Sequence, residues 1–147
     1  MAVTLKDLTH ENFDECISLR VRDDQSGLVA SNMYSLAQAQ VDSEVTPMAI
    51  YDNGTMVGFL MFGLDDDDGQ YWLLRLMIDY RYQGRGYARE AMEQLIERLY
   101  TLYSCGALYL SFPARNEDAH RLFTNLGFQQ VEGEVNAETV YKLDLRN

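Results

Sequence analysis

The sequence has few of the residues that build disulfide frameworks, linkers or membrane spans. Two of its 147 residues are proline and two are cysteine. Cys16 and Cys105 are far apart, belong to no CxxC pair and have no neighbouring histidine, which predicts buried thiols and argues against a disulfide or a metal site. No apolar run approaches the roughly 20 residues that cross a bilayer, and the first residues lack the basic start and apolar core of a signal peptide. We therefore expect a cytoplasmic protein without a membrane partner, folded as one domain over residues 1–147.

Positive charge is also scarce. Lysine and arginine number 12 against 23 acidic residues, which gives a net charge of −11. A field of this sign repels nucleic acids and anionic membranes, so neither is an expected partner. It attracts cationic small molecules, although an acidic surface also serves solubility alone, and the charge by itself leaves both explanations open.

The strongest pattern in the chain lies within residues 71–103. Residues 71–79 (YWLLRLMID) form a nearly continuous apolar run, which predicts a strand buried on both faces. Apolar residues at helical spacing from 88 to 102 predict a long helix that packs on a sheet. Between them, Gly84 and Gly86 allow a sharp turn and a close approach of a ligand to the backbone. Because the N–H groups at a helix start attract anions, the three features together predict a pyrophosphate site.

The remaining segments alternate between the two periodicities. Six of them predict strands, at residues 3–7, 47–51, 55–63, 107–112, 128–135 and 139–144. Three predict helices, one near residues 13–19 capped by Thr9, one at 36–41 capped by Ser35 and one at 117–125 introduced by Asn116. The sequences DNG at 52–54 and NA at 136–137 predict hairpin turns. The predicted order is β-α-α-β-β-β-α-β-α-β-β.

Two motifs carry a resemblance to a known family. The first is Gln83-Gly84-Arg85-Gly86-Tyr87-Ala88. It resembles the acyl-CoA signature Gln/Arg-x-x-Gly-x-Gly/Ala of the Gcn5-related N-acetyltransferases (GNAT). A frame that starts at Arg81 also fits, but the helical pattern begins at Ala88 and favours Gln83. Taken alone, the turn favours this signature, with an ordinary strand–turn–helix connection as the alternative.

A second motif lies at the expected separation from the first. It is Asn116-x-x-Ala119-x-x-Leu122-Phe123-x-x-x-Gly127-Phe128. It resembles the N-x-x-A-x-x-L-Y-x-x-x-G-F segment of the same family, and the resemblance extends over nearly the whole chain. Residues 29–39, 51–63 and 72–79 look more narrowly like the bacterial spermine/spermidine acetyltransferases.

The resemblance implies an α/β (α+β) fold of the GNAT type. In this fold a mixed, mostly antiparallel sheet of six to seven strands is flanked by about four helices and splays between its two central strands, here residues 71–79 and 107–112. Acetyl-CoA, the acetyl donor, is expected in the splay, and homodimers are common in the family. The implied mechanism is direct transfer to an amine in a ternary complex, with no metal.

The resemblance also implies which residues hold acetyl-CoA. The backbone of Leu76, Met77 and Ile78 is expected to pair with the pantetheine arm, and the N–H of Ile78 to polarise the thioester carbonyl. The family places the pyrophosphate on the main chain of one segment, here Gln83, Gly84, Arg85, Gly86, Tyr87 and Ala88. It places the pantetheine beside the helix that carries Asn116 and Phe123.

Phe123 is a departure from the family. A tyrosine that protonates the departing thiolate usually stands at this position, and a phenyl ring donates no proton. The thiolate then leaves either with another acid or unassisted, which is tolerable because a thiol titrates near ~8.5. Tyr87, Tyr109 and Tyr141 are candidate acids, each of which has simple packing as its alternative, and the sequence leaves the general acid open.

The acceptor side rests on the same resemblance. Residues 22–44 are expected to cover the acceptor amine, with Asp24 and Glu44 receiving ammonium groups and Tyr34 or Trp72 stacking on methylenes. Arg75 either shapes this pocket or closes a structural ion pair. The four aspartates at 65–68 are more simply explained as a solvated turn.

Three functions follow from these observations. The first is an acetyltransferase acting on a small cationic amine, with a polyamine as the leading acceptor. The second is an acetyltransferase for a protein or drug-like amine. The third, motivated by Phe123, is a non-catalytic module that binds CoA.

Overall fold

The computed structural model describes residues 2–145. Within them a seven-stranded sheet has the order β1-β2-β3-β4-β5-β7-β6. The strands are β1 (Val3–Asp7), β2 (Val45–Asp52), β3 (Thr55–Leu64), β4 (Tyr71–Ile78), β5 (Ala107–Phe112), β6 (Gln129–Val135) and β7 (Glu138–Asp144). The α-helices are α1 (Phe13–Ser18), α2 (Asn32–Val41), α3 (Tyr87–Leu102) and α4 (Glu117–Asn125). Short 3-10 turns occupy Asp23–Gln25 and Tyr80–Tyr82. The predicted fold class and element order are confirmed.

The sheet is covered on both faces. Leu60 of β3 packs in one cluster with Met92, Leu95 and Leu99 of α3. Its neighbours Phe59 and Met61 belong to a second cluster that contains Cys16 of α1. Because consecutive side chains of a strand point to opposite faces, β3 is buried along most of its length. The sheet is therefore the middle layer of three.

β4 and β5 are neighbours, and theirs is the one parallel pairing in the described sheet. Within residues 2–145 they pair at Tyr71–Leu108 and Trp72–Tyr109 and then diverge. β4 was predicted to be buried on both faces, but its residues 74–76 are half-buried. The prediction is wrong for this stretch because the neighbouring strand departs and leaves one edge and part of the face of β4 uncovered.

Two predicted helix caps are wrong. α2 begins at Asn32, and the Ser31 side chain accepts a hydrogen bond from the Tyr34 N–H at 3.1 Å. Ser35 is instead fully buried in the first turn of α2. Serine is a favoured N-cap residue at either position, so the sequence alone does not distinguish Ser31 from Ser35. The cap depends on which of the two residues the fold buries. The cap predicted at Thr9 is also wrong, because the residue immediately before α1 is Asn12. The Asn12 Oδ1 accepts a hydrogen bond from the Thr9 N–H at 2.8 Å.

Both cysteines are buried, as predicted. Burial, and secondarily the charge of Glu15, raises the pKa of the Cys16 thiol to about 12. The Cys105 thiol donates to the Ala107 carbonyl at 2.9 Å. Among residues 2–145, no group of three or more histidine, cysteine or carboxylate side chains is placed to hold a metal. No helix in this part of the chain has the length and apolar content needed to span a membrane.

Candidate active site

A cleft of about 1020 Å³ opens where β4 and β5 diverge. Its walls are β4, the end of β5, the start of α3, one side of α4 and the segment between α1 and α2. The residues predicted to pair with pantetheine, Leu76, Met77 and Ile78, all line it. Because β5 has left this edge of β4, backbone groups there are free of a strand partner, and an extended ligand can pair with them.

The glycine turn has the backbone that its sequence predicts. Gly84 has a φ of 77° and Gly86 a φ of 88°, both in the left-handed region that glycine adopts without strain. Gly86 immediately precedes α3 and has no side chain to cap it, so the first N–H groups of α3 remain available to an anion. Gly84, Gly86, Tyr87 and Ala88 line the cleft.

The side chain of Gln83 is occupied inside the protein. Its Nε2 donates to the Ile78 carbonyl at 2.9 Å and to Gln25 Oε1 at 2.9 Å. Its Oε1 accepts from Arg22 Nη1 at 2.6 Å. Gln83 thus joins the end of β4, the glycine turn and the segment before α2. Its side chain is committed to these contacts, which leaves its main chain as the part that a ligand can meet.

Asp79 fixes the same turn, and the sequence analysis did not single it out. Its side chain is 1% exposed and accepts from the N–H of Arg20 at 3.0 Å and from the N–H and Nε of Arg81 at 3.0 and 2.8 Å. Burial raises the pKa of Asp79, but these hydrogen bonds and the Arg81 charge outweigh burial and hold the pKa below its usual range. A charged anchor therefore holds the backbone between β4 and the glycine turn.

Tyr87 packs at the start of α3 and directs its hydroxyl to the β2–β3 hairpin. The hydroxyl donates to Asp52 Oδ2 at 2.5 Å. This bond is the main cause that raises the pKa of Tyr87 and that lowers the pKa of Asp52. Asp52 also accepts from the Ala2 N–H at 3.1 Å. Of the three candidate acids, Tyr87 alone lines the cleft as the described residues define it, and its proton is committed to Asp52.

The other aromatic candidates serve packing. Phe123 lines the cleft and packs against Phe112, with ring centroids 5.9 Å apart. Tyr141 stacks on the same Phe112 ring, at a centroid distance of 4.6 Å. Tyr109 stacks on Trp72 at 5.3 Å. Within residues 2–145, neither Tyr109 nor Tyr141 lines the cleft or the cavity beside it.

A second cavity of about 630 Å³ adjoins the cleft and is strongly acidic. It lies between the end of α2, the β3–β4 loop and the β6–β7 hairpin. The acidic side chains in its lining are Asp42, Asp65, Asp66, Asp67 and Glu138. The residues that it shares with the cleft are Leu73, Leu74, Arg75, Ser111 and Glu138. The two spaces therefore meet where the sheet splays, and we call the second one the acidic cavity.

Arg75 stands at this meeting point. Its Nη1 donates to the Leu74 carbonyl at 2.7 Å and its Nη2 to Gln38 Oε1 at 3.1 Å. Its Nε is buried and has no hydrogen-bond partner among residues 2–145. The described part of the chain contains no ion pair to Arg75, so of the two expectations the structure favours a pocket residue over a structural ion pair.

The predicted acceptor residues are only partly brought together. Trp72 lines the acidic cavity, and its Nε1 donates to Asp68 Oδ2 at 3.1 Å. Asp24, Tyr34 and Glu44 lie outside both spaces as residues 2–145 outline them, and all three are exposed. Asp24 pairs with Arg22 at 3.2 Å. Other residues of the predicted cover, residues 22–44, do line these spaces, with Gln38 and Asp42 at the acidic cavity.

No sequence pattern marked five polar residues of the acidic cavity as site residues, namely Gln38, Asp42, Ser111, Asn136 and Glu138. All five lie within or next to ordinary elements, and none belongs to either family motif. The aspartates at 65–68 were noted but explained as a solvated turn, whereas three of them border the acidic cavity. Their proximity to Glu138, which is about 70 residues away in sequence, depends on the register of β7 beside β5.

Comparison with known proteins gives a family match over most of the chain. The model of the Acetyltransferase (GNAT) family matches residues 7–128. The spermine/spermidine N(1)-acetyltransferase of Bacillus subtilis (strain 168) is 34% identical over 152 aligned positions, which cover 99% of this chain and 100% of that protein.

Solved structures share the fold at lower identity. An acetyltransferase from Thermus thermophilus has a TM-score of 0.77 at 21% identity, covering 98% of this chain and 97% of that one. The spermidine N-acetyltransferase of Vibrio cholerae, solved with CoA and spermine, has a TM-score of 0.73 at 16% identity, covering 95% of this chain and 92% of that one. These likenesses concern the arrangement of the backbone.

Proposed function

The chain belongs to the acetyltransferase (GNAT) family and is an acetyl-CoA-dependent N-acetyltransferase, and from this premise we propose that its acceptor is a polyamine. The reaction is direct transfer of the acetyl group to a primary amine in a ternary complex. The observation that carries the proposal is the acidic cavity, which opens into the cleft beside Arg75 and Glu138. A polyamine is an extended chain of ammonium groups, and a cavity bordered by carboxylates suits it.

The cleft has the features that acetyl-CoA requires. It offers an unpaired strand edge for the pantetheine arm and two glycines with positive φ before the start of α3 for the pyrophosphate. When bound, acetyl-CoA supplies the activated acetyl group. We propose that Leu76, Met77 and Ile78 hold the arm, with the Ile78 N–H polarising the carbonyl. Further proposed contacts are Gln83, Gly84, Arg85, Gly86, Tyr87, Ala88, Asn116 and Phe123.

The proposed acceptor contacts in the acidic cavity are of two kinds, carboxylates for the ammonium groups and an aromatic ring for the methylenes. We propose that Asp42 and the aspartates at 65–67 attract the distal ammonium groups, and that Trp72 packs along the methylenes. Asp24, Tyr34 and Glu44 stay a prediction as acceptor contacts, but their exposed positions support at most a remote electrostatic effect of the two carboxylates, Asp24 and Glu44. The relative in Bacillus subtilis, whose name specifies spermine and spermidine, adds independent support.

A thiol-release assay tests the proposal. Acetyl-CoA is presented with spermine, spermidine, putrescine, a lysine peptide and a monoamine, and binding of CoA is measured separately by calorimetry. We expect the highest kcat/KM with spermine or spermidine. A preference for the peptide or the monoamine would replace the polyamine with another acceptor. CoA binding without turnover of any amine would instead favour a non-catalytic module, the alternative that Phe123 motivated.

We further propose a cytoplasmic enzyme that engages neither nucleic acid nor membranes, because its net charge of −11 repels both. Homodimer formation also stays a prediction. Sedimentation equilibrium at micromolar protein measures it, and a single species of the 16.9 kDa chain mass would contradict it.

A further inference from the structure

The proposed chemistry needs a group that takes a proton from the acceptor. An alkyl ammonium titrates near ~10.4, so nearly all of the acceptor arrives at neutral pH without the lone pair that attacks. Phe123 carries no ionisable group into the cleft. The groups in a position to serve are those that line both the cleft and the acidic cavity, because the acceptor nitrogen has to pass from one space to the other.

Glu138 is the carboxylate that lines both spaces in the described chain. It is the first residue of β7, immediately beyond the β5–β7 pairing, which ends at Phe112–Thr139. Ser111 of β5 also lines both spaces, and its hydroxyl donates to Glu138 Oε1 at 2.9 Å. This bond orients the carboxylate, and within residues 2–145 no hydrogen bond occupies Oε2.

Other charged groups face the same junction from each neighbouring element. β4 contributes Arg75, α4 contributes Asp118, and the residue after α2 is Asp42. The β3–β4 loop adds Asp65, Asp66 and Asp67. Arg75 shares both spaces with Glu138, whereas these acids border one space each and the positive charges of Arg22 and Arg89 border the cleft alone. Glu138 is therefore the carboxylate best placed to receive a proton at the point of transfer.

We propose that Glu138 is the catalytic base of the transfer and that Ser111 is a positioning residue that orients its carboxylate. The inference rests on the proposed amine acetylation and on an acceptor that reaches the cleft from the acidic cavity as an ammonium ion. One proton moves from the acceptor nitrogen to Glu138 Oε2 and from there to solvent. The new nitrogen–carbon bond forms as the carbon–sulfur bond of the thioester breaks, and the second proton lost by nitrogen ends on the departing sulfur.

The pH dependence of Glu138→Gln tests this role. With the best acceptor of the wild-type panel, we expect kcat at pH 7 to fall about 100-fold, within the usual range for a general base. The deficit should shrink to less than about tenfold at pH 9.5, because solution then supplies the free amine. The surrounding charges are the same in both proteins, so their effect cancels in the ratio of the wild-type kcat to the Glu138→Gln kcat. CoA affinity should be unchanged.

Glu134→Gln is the matched control, since Glu134 is exposed on the same hairpin and lies outside both spaces within the described residues. Ser111→Ala should lose about fivefold in kcat and lose little more in the Glu138→Gln background, as expected for residues that act together. If Glu138→Gln does not fold, Ser111→Ala alone tests the role, and its kcat deficit relative to the wild type should also shrink at high pH. A deficit that stays constant with pH, or that appears in KM alone, would overturn the assignment and make Glu138 a binding residue.

Discussion

The two halves of the active site are built in different ways. The half proposed to hold the cofactor is built mainly from one continuous segment, from the end of β4 through the glycine turn into α3, with α4 beside it, and offers mainly main-chain groups. The half proposed to receive the acceptor uses side chains from α2 and the residue after it, β4, β5, the β3–β4 loop and the β6–β7 hairpin. A main-chain site is specified by backbone conformation, whereas a side-chain site is specified by how distant elements meet.

This difference predicts different tolerances. The cofactor half should be sensitive to changes that restrict the backbone, and insensitive to removal of a single surface charge. The acceptor half should instead respond to the removal of several charges together, because its attraction for a cation is the sum of several screened charges. The two halves can therefore be damaged separately.

Gly86→Ala should produce the largest difference between the effect on CoA binding and the effect on acceptor binding. A non-glycine residue at a φ of 88° costs about 1–3 kcal/mol, and CoA affinity should fall by about tenfold or more as the turn relaxes away from the anion site. The KM for the acceptor should change little. Calorimetry with CoA and steady-state kinetics measure the two effects.

Gly54→Ala is the control for this change, because Gly54 lacks a positive φ and an added Cβ would meet no atom within 4 Å in the described chain. Its CoA affinity should match that of the wild type. Unchanged CoA binding in Gly86→Ala would mean that the backbone of the turn does not define the cofactor half.

Asp79→Asn should weaken the fold at the cofactor half. The variant loses a buried negative charge that accepts three hydrogen bonds, and we expect a loss of about 2 kcal/mol in the free energy of unfolding at pH 7. Because the pKa of Asp79 is lowered by folding, its contribution is present above the unfolded pKa of ~3.9 and is lost as the pH falls through the folded value.

Urea denaturation between pH 7 and pH 2.5 measures this contribution. The stability difference between wild type and Asp79→Asn should narrow on acidification. Asp24→Asn, at an exposed site, should keep wild-type stability throughout. A difference that is as large at pH 2.5 as at pH 7 would show that shape, and not charge, is what Asp79 provides.

Replacing Asp65, Asp66 and Asp67 together by asparagine should weaken the acceptor half. Each exposed charge contributes about 0.2–1 kcal/mol, so the KM for spermidine should rise about tenfold, and the rise should shrink at high salt. Asparagine retains the side-chain oxygen with which residue 65 accepts from the N–H of residue 67 at 2.8 Å. CoA affinity should be unchanged.

A triple change of equal charge on the α1 side, Glu11→Gln with Asp14→Asn and Glu15→Gln, controls for net charge, since these residues lie outside both spaces in the described chain. An equal rise in KM in this control would mean that the rise comes from the net charge of −11 and not from the acidic cavity.

Phe123→Tyr should have the smallest effect. It restores the hydroxyl that the family usually places in the cleft, but a thiolate with a pKa near ~8.5 leaves without an acid, so kcat should change by less than about threefold. A gain of tenfold or more would show that departure of the thiolate limits the present enzyme. Phe128→Tyr, a buried ring outside the cleft lining in residues 2–145, is the control.

The sequence predicted closely the backbone of the turn and helix start in the cofactor half, and predicted poorly which residues surround the acidic cavity. The glycine turn, the start of α3 and the cap at Asn116, which accepts from the Ala119 N–H at 3.1 Å, depend on neighbours within a few residues. Arg75 was a pocket candidate because a charged residue is unusual within an apolar strand, and Trp72 was one because an aromatic ring can stack on methylenes. Asp42 and Glu138 have ordinary local surroundings, so no pattern near them distinguished them from surface acids.

The two motifs implied the fold class through their resemblance to the family, and the sequence by itself determined the order of the elements and the glycine turn before α3. These follow from periodicity, glycine conformation and helix ends, which act over a few residues. The tertiary structure alone decided where β5 leaves β4, which caps are used and which acids meet at the end of β7. Those outcomes depend on strand register and on the burial of distant residues, since a shift of one residue in β7 would turn Glu138 to the other face of the sheet.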